Sequence, residues 1–159
     1  ALPIFGECLE FADKHDALLT VGIKPTRPDT GYGYIQVSDT NVISKVKCFT
    51  EKPNLELAQT FLQTGEFFWN SGIFIWKVQT IVEAFRKYLP EHHAMFSGVM
   101  KALGTDAEKT TVEIVFSECR AISIDYGIME KADNEHTVMR LCTSWATTDE
   151  QVDQLIALL

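Results

Sequence analysis

Apolar residues recur along the chain with two different periods, which separate helices from strands. Helical spacing from Pro3 to His15 predicts an amphipathic helix, and the apolar run Ala17–Ile23 predicts a strand covered on both faces. Further strands are predicted at Tyr34–Val37, Val42–Thr50, Phe67–Val78 and His136–Leu141. Further helices are predicted at 55–64, 79–89, 91–103, 107–117 and 124–132. This alternation favours an α/β fold with a mixed sheet flanked by helices.

The ends of two helices carry clear local signals. Asn54 is a good N-cap and Gly65 a good terminator for the helix between them. Thr147 and Glu150 have the spacing of a capping box, and the four apolar residues that follow form one stripe. The sequence therefore predicts a partial domain over residues 1–146 and a divergent amphipathic C-terminal helix over 147–159.

Composition and charge restrict the function. The chain has 159 residues, enough for one domain, with 22 acidic against 14 basic residues and a net charge of -8. It contains no basic patch, which argues against nucleic-acid binding, and no apolar run of the roughly 20 residues that span a membrane. Its four cysteines show no C-x-x-C spacing, so we expect reduced thiols in the cytoplasm rather than a zinc site.

Two short polar segments end otherwise apolar runs. Glu51-Lys52-Pro53 follows a predicted strand, so the charged pair lies at a sheet edge where a ligand can reach it. A lysine charge suits a phosphate and a carboxylate suits vicinal hydroxyls, although the pair is equally consistent with a solvated turn. Asn70-Ser71-Gly72 offers an amide for sugar hydroxyls, or else a β-bulge in an aromatic strand.

Two further segments carry candidate site residues. The loop 24–33 has two cations and two glycines, and Gly33 would allow the backbone to approach a ligand, whereas a plain surface loop is the alternative. Asp125 either binds a ligand or caps the short helix that it opens. His92, His93 and His136 have no carboxylates at ligand spacing, so we interpret them as solvated histidines.

Taken in order, these segments resemble the sugar-nucleotide pyrophosphorylases from about Leu9 to Val138. The nearest members convert GTP and mannose 1-phosphate to GDP-mannose and pyrophosphate with Mg²⁺. The resemblance implies that Glu51 binds sugar hydroxyls and Lys52 the sugar phosphate, with Gly33, Asn70 and Asp125 lining the sugar site. It also implies a Rossmann-like nucleotidyltransferase domain. A sister enzyme that uses glucose 1-phosphate, and a non-catalytic binding or assembly fragment, are the alternatives.

Other parts of the family pattern are missing from these residues. The chain has no Gly-Gly pair to form the nucleotide loop, and Thr147 stands where the family has a metal-binding aspartate. We therefore expect a partial domain without the N-terminal nucleotide-binding strands and without the Mg²⁺ ligands, with no pyrophosphorylase activity on its own. Because such a domain would expose a strand edge, we also expect a homo-oligomer.

Overall fold

The computed structural model describes residues 2–37, 43–132 and 138–143, with side chains described from residue 5 to residue 132 only. The predicted turn near residues 38–41, the predicted helix 147–159 and His136 lie outside the described residues. In chain order the elements are α1 (Leu2–Lys14), β1 (Leu18–Ile23), β2 (Tyr34–Val37), β3 (Ile43–Thr50), α2 (Leu55–Thr64), β4 (Phe67–Ile75), α3 (Val78–Tyr88), α4 (Pro90–Ala102), α5 (Glu108–Glu118), a π-helical turn (Asp125–Met129), α6 (Glu130–Ala132) and β5 (Val138–Thr143).

The five strands form one mixed sheet, as the sequence predicted. β1 pairs antiparallel with β4 and parallel with β5, while β2 lies between β3 and β4 and pairs antiparallel with both. β5 also pairs antiparallel with β3, so the order β1-β4-β2-β3-β5 closes on itself. Each of the five described strands therefore has a neighbour on both sides. The sequence-based expectation of an exposed strand edge is wrong for the described strands, because β5 pairs with both β1 and β3.

Helices pack on both faces of the strands because neighbouring residues of one strand point in opposite directions. Leu18 joins a core formed with α3 and the π-helical turn, whereas the adjacent Leu19 joins a core formed with α1. Tyr34 and Trp69 belong to a third core beneath α2. β1 is buried along most of its length, which explains why it reads as a continuous apolar run.

The boundaries of α2 follow local rules. The Asn54 side-chain oxygen accepts a hydrogen bond of 2.9 Å from the Leu57 N–H, and Gly65 ends the helix with a φ of 72°. On its buried side Phe61 stacks on Phe67 with 3.8 Å between ring centroids, and Tyr34 lies 5.3 Å away. The predicted cap, helix and terminator are therefore confirmed.

Two sequence-based interpretations are wrong. β4 ends at Ile75 rather than at Val78, because α3 begins at Val78. The start of α3 has no side-chain cap, so the sequence carries no signal for this boundary. His92 is not solvated: it is buried, and its Nε2–H donates to the Arg120 carbonyl at 2.8 Å. That bond joins α4 to the segment that leads to Asp125.

Phe61→Ala should lower the free energy of unfolding by about 3–5 kcal/mol, because it removes a buried ring and leaves a cavity between α2 and the sheet. Leu55→Ala on the same helix is the matched control. Leu55 is 54% exposed, so its truncation should change the free energy of unfolding by less than about 0.5 kcal/mol. Urea denaturation followed by circular dichroism measures both, and equal losses would contradict the packing of α2.

Candidate functional site

A cleft of about 700 Å³ opens beside the turn that follows β3. The turn forms one wall, while the segment from α5 to the π-helical turn, together with α6, forms the other. The residues that line it are Glu51, Lys52, Arg120, Ala121, Ile122, Ser123, Asp125, Tyr126 and Lys131. Three of the five predicted site residues, Glu51, Lys52 and Asp125, therefore lie in one cleft.

The Glu51 carboxylate lies close to the backbone of Gly33. A Cβ on Gly33 would collide with Glu51 Oε2 and would lie 3.4 Å from Phe49 Cε1. Gly33 has no positive φ, so proximity rather than backbone conformation excludes a side chain there. The Glu51 side chain is only 13% exposed, and among the described residues its carboxylate has one polar partner, Lys52 Nζ at 3.5 Å. Its oxygens thus retain capacity to accept hydrogen bonds from a ligand.

Asn70 links the sheet to the cleft through its side-chain amide. Its Oδ1 accepts from Thr20 Oγ1 at 2.9 Å and from the Gly72 N–H at 3.2 Å, and its Nδ2 donates to Asp125 Oδ1 at 2.8 Å. Asn70 also donates its backbone N–H to the Gly33 carbonyl at 2.7 Å. Asn70 is buried, and its hydrogen bonds from the sheet fix the positions of Asp125 and Gly33.

A bulge in β4 makes this geometry possible. Gly22 of β1 faces Asn70, but Thr20, two residues earlier, faces Phe74, so β4 carries two extra residues between the two pairs. Gly72 lies in this segment with a φ of 73°, a left-handed conformation that favours glycine. The two interpretations of Asn70-Ser71-Gly72, a bulge and a polar site element, are thus compatible.

The loop before β2 is fixed by its own polar and aromatic contacts. Asp29 accepts from the Gly31 N–H at 2.8 Å and from Arg27 at 2.6 Å, and these bonds lower the pKa of the Asp29 carboxyl. The Tyr32 ring stacks on Trp69 at 5.0 Å, and the Arg27 guanidinium lies 5.3 Å from the same ring. Arg27 is therefore paired with Asp29 and Trp69 within the loop. The contacts of this loop fix the position of Gly33 next to Glu51.

Lys52 adopts a backbone conformation that a residue with a side chain rarely takes. Its φ is 44°, in the left-handed region, which costs a non-glycine residue on the order of 1 kcal/mol. The turn is continued by Pro53, which is buried. The conformation places the ammonium group at the mouth of the cleft, with 64% of the side chain exposed.

Comparison with known proteins identifies the family. Residues 4–119 match the model of the nucleotidyl transferase family. This chain belongs to that family. A mannose-1-phosphate guanylyltransferase of Salmonella montevideo is 39% identical over 138 residues, which cover 81% of this chain and 29% of the relative. An Escherichia coli mannose-1-phosphate guanylyltransferase is 37% identical over 121 residues, covering 72% and 26% respectively.

Solved structures support the same assignment. The crystal structure of a Thermus thermophilus protein named mannose-1-phosphate geranyltransferase superposes with a TM-score of 0.73 at 32% identity, covering 88% of this chain and 38% of that one. A Helicobacter pylori mannose-6-phosphate isomerase, at 22% identity and a TM-score of 0.72, shares the fold. The predicted nucleotidyltransferase fold is confirmed. The chain spans less than a third of the length of the two bacterial guanylyltransferases named above.

The described residues of this chain do not fit a Mg²⁺ ion. Among them, no three or more His, Cys, Asp or Glu side chains form a group that could hold a metal. The two carboxylates at the cleft belong to separate elements, and each has a different protein partner, the Asn70 amide for Asp125 and Lys52 for Glu51. No helix in the described part of the chain is long and apolar enough to cross a membrane.

Sequence reasoning missed three residues of this region. Thr20 is hidden inside the apolar run of β1, where it reads as a strand residue, yet it is buried and bonded to Asn70. Arg120 has no local motif, and Lys131 was given no site role although it ends the segment 124–131 that resembles the family; both line the cleft. The presence of Arg120 and Lys131 beside Lys52 is therefore visible only in the structure.

Asn70→Asp should lower the free energy of unfolding by about 1.5–3 kcal/mol at neutral pH, because it sets a second carboxylate against Asp125. Repulsion raises the carboxyl pKa values of the pair in the folded state above their unfolded values. The folded state then binds protons more tightly, so the loss should shrink as pH falls from about 8 to about 5. Urea denaturation across this range measures it.

Two controls sharpen this prediction. Adding Asp125→Asn to Asn70→Asp restores an amide–carboxylate bond, so the double variant should regain most of the stability and lose the pH dependence. Asn54→Asp makes the same chemical change at an exposed N-cap, where either residue serves. A pH-independent loss for Asn70→Asp, or no recovery in the double variant, would show that Asn70 and Asp125 are not coupled.

Proposed function

We propose that this chain carries the sugar-phosphate site of a cytoplasmic mannose-1-phosphate guanylyltransferase. The reaction is GTP plus mannose 1-phosphate to GDP-mannose and pyrophosphate. Membership of the nucleotidyl transferase family and the names of its relatives support the proposal. The alternative of a non-catalytic sugar-phosphate-binding fragment shares the same site, and no observation favours it.

The observation that carries the proposal is the nearly buried Glu51 carboxylate with unused acceptor capacity. A carboxylate taken out of water is costly unless it is well paired, and the single ion pair at 3.5 Å is long for a charge-assisted hydrogen bond. Vicinal sugar hydroxyls would supply the missing donors. The second oxygen of Asp125, whose Oδ1 is held by Asn70, is a further acceptor at the same cleft.

Different residues of the chain bind the sugar ring and the phosphate group. Glu51 and Asp125 accept hydrogen bonds from hydroxyls and so fix the sugar ring. Lys52 lies next to Glu51 and holds the sugar phosphate, whose oxygen attacks the α-phosphate of GTP as pyrophosphate leaves. Holding the nucleophile in one orientation is the main contribution that such a site makes to phosphoryl-type transfer.

Mg²⁺ belongs to the proposed reaction as a cofactor of the family. Among the described residues, no group of three or more His, Cys, Asp or Glu side chains could hold such an ion. GTP likewise enters as the second substrate of the family reaction.

Gly33→Ala should weaken mannose 1-phosphate binding about tenfold, because the new methyl group displaces the Glu51 carboxylate and so removes a charge-assisted contact to the sugar. Gly98→Ala is the matched control. A Cβ there meets nothing within 4 Å, so its affinity should match that of the unmodified chain. Calorimetric titration of mannose 1-phosphate, glucose 1-phosphate and inorganic phosphate into the 159-residue chain measures this.

Two results would count against the proposal. If mannose 1-phosphate binds no more tightly than inorganic phosphate, the cleft does not recognise the sugar. If glucose 1-phosphate binds more tightly than mannose 1-phosphate, the chain is part of a sister pyrophosphorylase.

Self-association is a separate proposal. Although the described strands have no free edge, three large apolar side chains on α3, α4 and α5 are about 70% exposed, namely Val78, Met100 and Phe116. Apolar surface of this kind is commonly covered by a second copy. Light scattering at micromolar concentration should give a dimer or larger species. Met100→Lys should shift it towards the 17.9 kDa monomer, while Leu9→Lys on α1 should not. A monomer at all concentrations contradicts the proposal.

A further inference from the structure

One hydroxyl group lies inside the otherwise apolar strand β1. Thr20 is 1% exposed, and its neighbours along the strand, Leu19 and Val21, are buried apolar residues. A buried hydroxyl costs free energy unless it is hydrogen-bonded, and a valine of similar shape would avoid that cost. The Thr20 Oγ1 donates to Asn70 Oδ1 at 2.9 Å and lies 3.3 Å from the Ile73 carbonyl. Both acceptors belong to the bulged part of β4, so the hydroxyl serves the bulge rather than the apolar core.

The bonds around the Asn70 amide allow only one orientation of this group. Its Oδ1 accepts from the Thr20 hydroxyl and also from the Gly72 N–H at 3.2 Å. Turning the amide over would set Nδ2 against the Gly72 N–H, which is another donor, and Oδ1 against the Asp125 carboxylate, which is another acceptor. The observed orientation directs Nδ2 to Asp125 Oδ1 at 2.8 Å. Thr20 supplies the shorter of the two bonds that hold Oδ1 in place.

The bond from Asn70 fixes Asp125 through one carboxylate oxygen. Asp125 lines the cleft, and its Oδ1 accepts from Asn70 Nδ2. Because a carboxylate has two oxygens, Oδ2 keeps its capacity to accept a hydrogen bond from a ligand hydroxyl. A side chain that must be ordered when the ligand arrives lowers the affinity. The bond to Asn70 removes that loss, since it orders the carboxylate before binding.

We propose that Thr20 is a positioning residue for ligand binding in the cleft. Its hydroxyl fixes the Asn70 amide, and the amide fixes Asp125 with one oxygen available to a sugar hydroxyl. The inference rests on the proposed function and extends it, because it assigns part of the sugar recognition to a residue that does not line the cleft. Thr20 acts through Asn70 and Asp125 and makes no contact with the ligand.

The test removes the hydroxyl of Thr20 and keeps the shape of the side chain. Thr20→Val should weaken mannose 1-phosphate binding about tenfold, because the Asn70 amide loses a bond and Asp125 is no longer ordered. Inorganic phosphate has no sugar hydroxyl, so its affinity should not change. Thr20→Ser keeps the hydroxyl and should bind mannose 1-phosphate within about twofold of the unmodified chain. Calorimetric titration of the 159-residue chain measures the affinities.

Three further variants separate positioning from a general loss of structure. Thr60→Val makes the same chemical change at an exposed position of α2, where the hydroxyl donates to the Glu56 carbonyl at 3.1 Å, and should leave both affinities unchanged. Asp125→Ala should weaken mannose 1-phosphate binding about tenfold, and adding Thr20→Val to it should cause no further loss. A thiol is a weak donor, so Thr20→Cys should bind mannose 1-phosphate less tightly than Thr20→Ser, even if Thr20→Val does not fold.

The results separate this inference from the proposed function. The inference is overturned if Thr20→Cys binds mannose 1-phosphate as tightly as Thr20→Ser, if phosphate affinity falls equally, or if the two losses add in the double variant. If the unmodified chain binds mannose 1-phosphate no better than inorganic phosphate, the proposed function fails. NMR of the ligand-free chain then decides the inference: the side-chain carboxyl carbon signal of Asp125 should shift in Thr20→Val and stay in place in Thr20→Ser. A signal that moves in neither variant overturns the positioning role.

Discussion

The buried amide of Asn70 is the constraint on which the site depends. It joins Thr20 on β1, 50 residues earlier, to Asp125 on the π-helical turn, 55 residues later, and its backbone binds Gly33. Breaking any of these bonds would leave a buried polar group without its partner, so the three segments have one favourable arrangement. The bulge at Gly72 interrupts the regular pairing of β4 with β1. It also orients the Asn70 amide towards its hydrogen-bond partners, one of which is the Gly72 N–H.

The sequence was informative wherever the cause of structure is local. Asn54 and Gly65 bound α2 through bonds and angles within a few residues, so both ends were predictable. His92 was wrongly interpreted because its partner, the Arg120 carbonyl, lies 28 residues away and leaves no local pattern. The closure of the sheet by β5 escaped prediction for the same reason, since pairing between distant strands depends on the whole fold.

The candidate site was partly predictable for a different reason. Glu51, Lys52 and Asp125 were found because charged groups at the ends of apolar runs resemble a known family pattern, and the structure brings them to one cleft. Thr20, Arg120 and Lys131 carry no such signal. Their positions beside Asn70 and the cleft depend on how distant elements pack, and that is a property of the folded chain rather than of any segment.

Lys52 combines a strained backbone with a position at the cleft. Its left-handed backbone would be more favourable with glycine, and its only carboxylate partner among the described residues, Glu51, is its neighbour in sequence. An ion pair that is this exposed contributes little to stability, so the pair does not explain why a lysine occupies a strained position. Strain that the fold tolerates is common where a side chain must face a ligand. The same turn sets the Glu51 carboxylate against Gly33 and the Lys52 ammonium at the cleft mouth. One strained residue thereby places an acidic and a basic side chain together at the cleft.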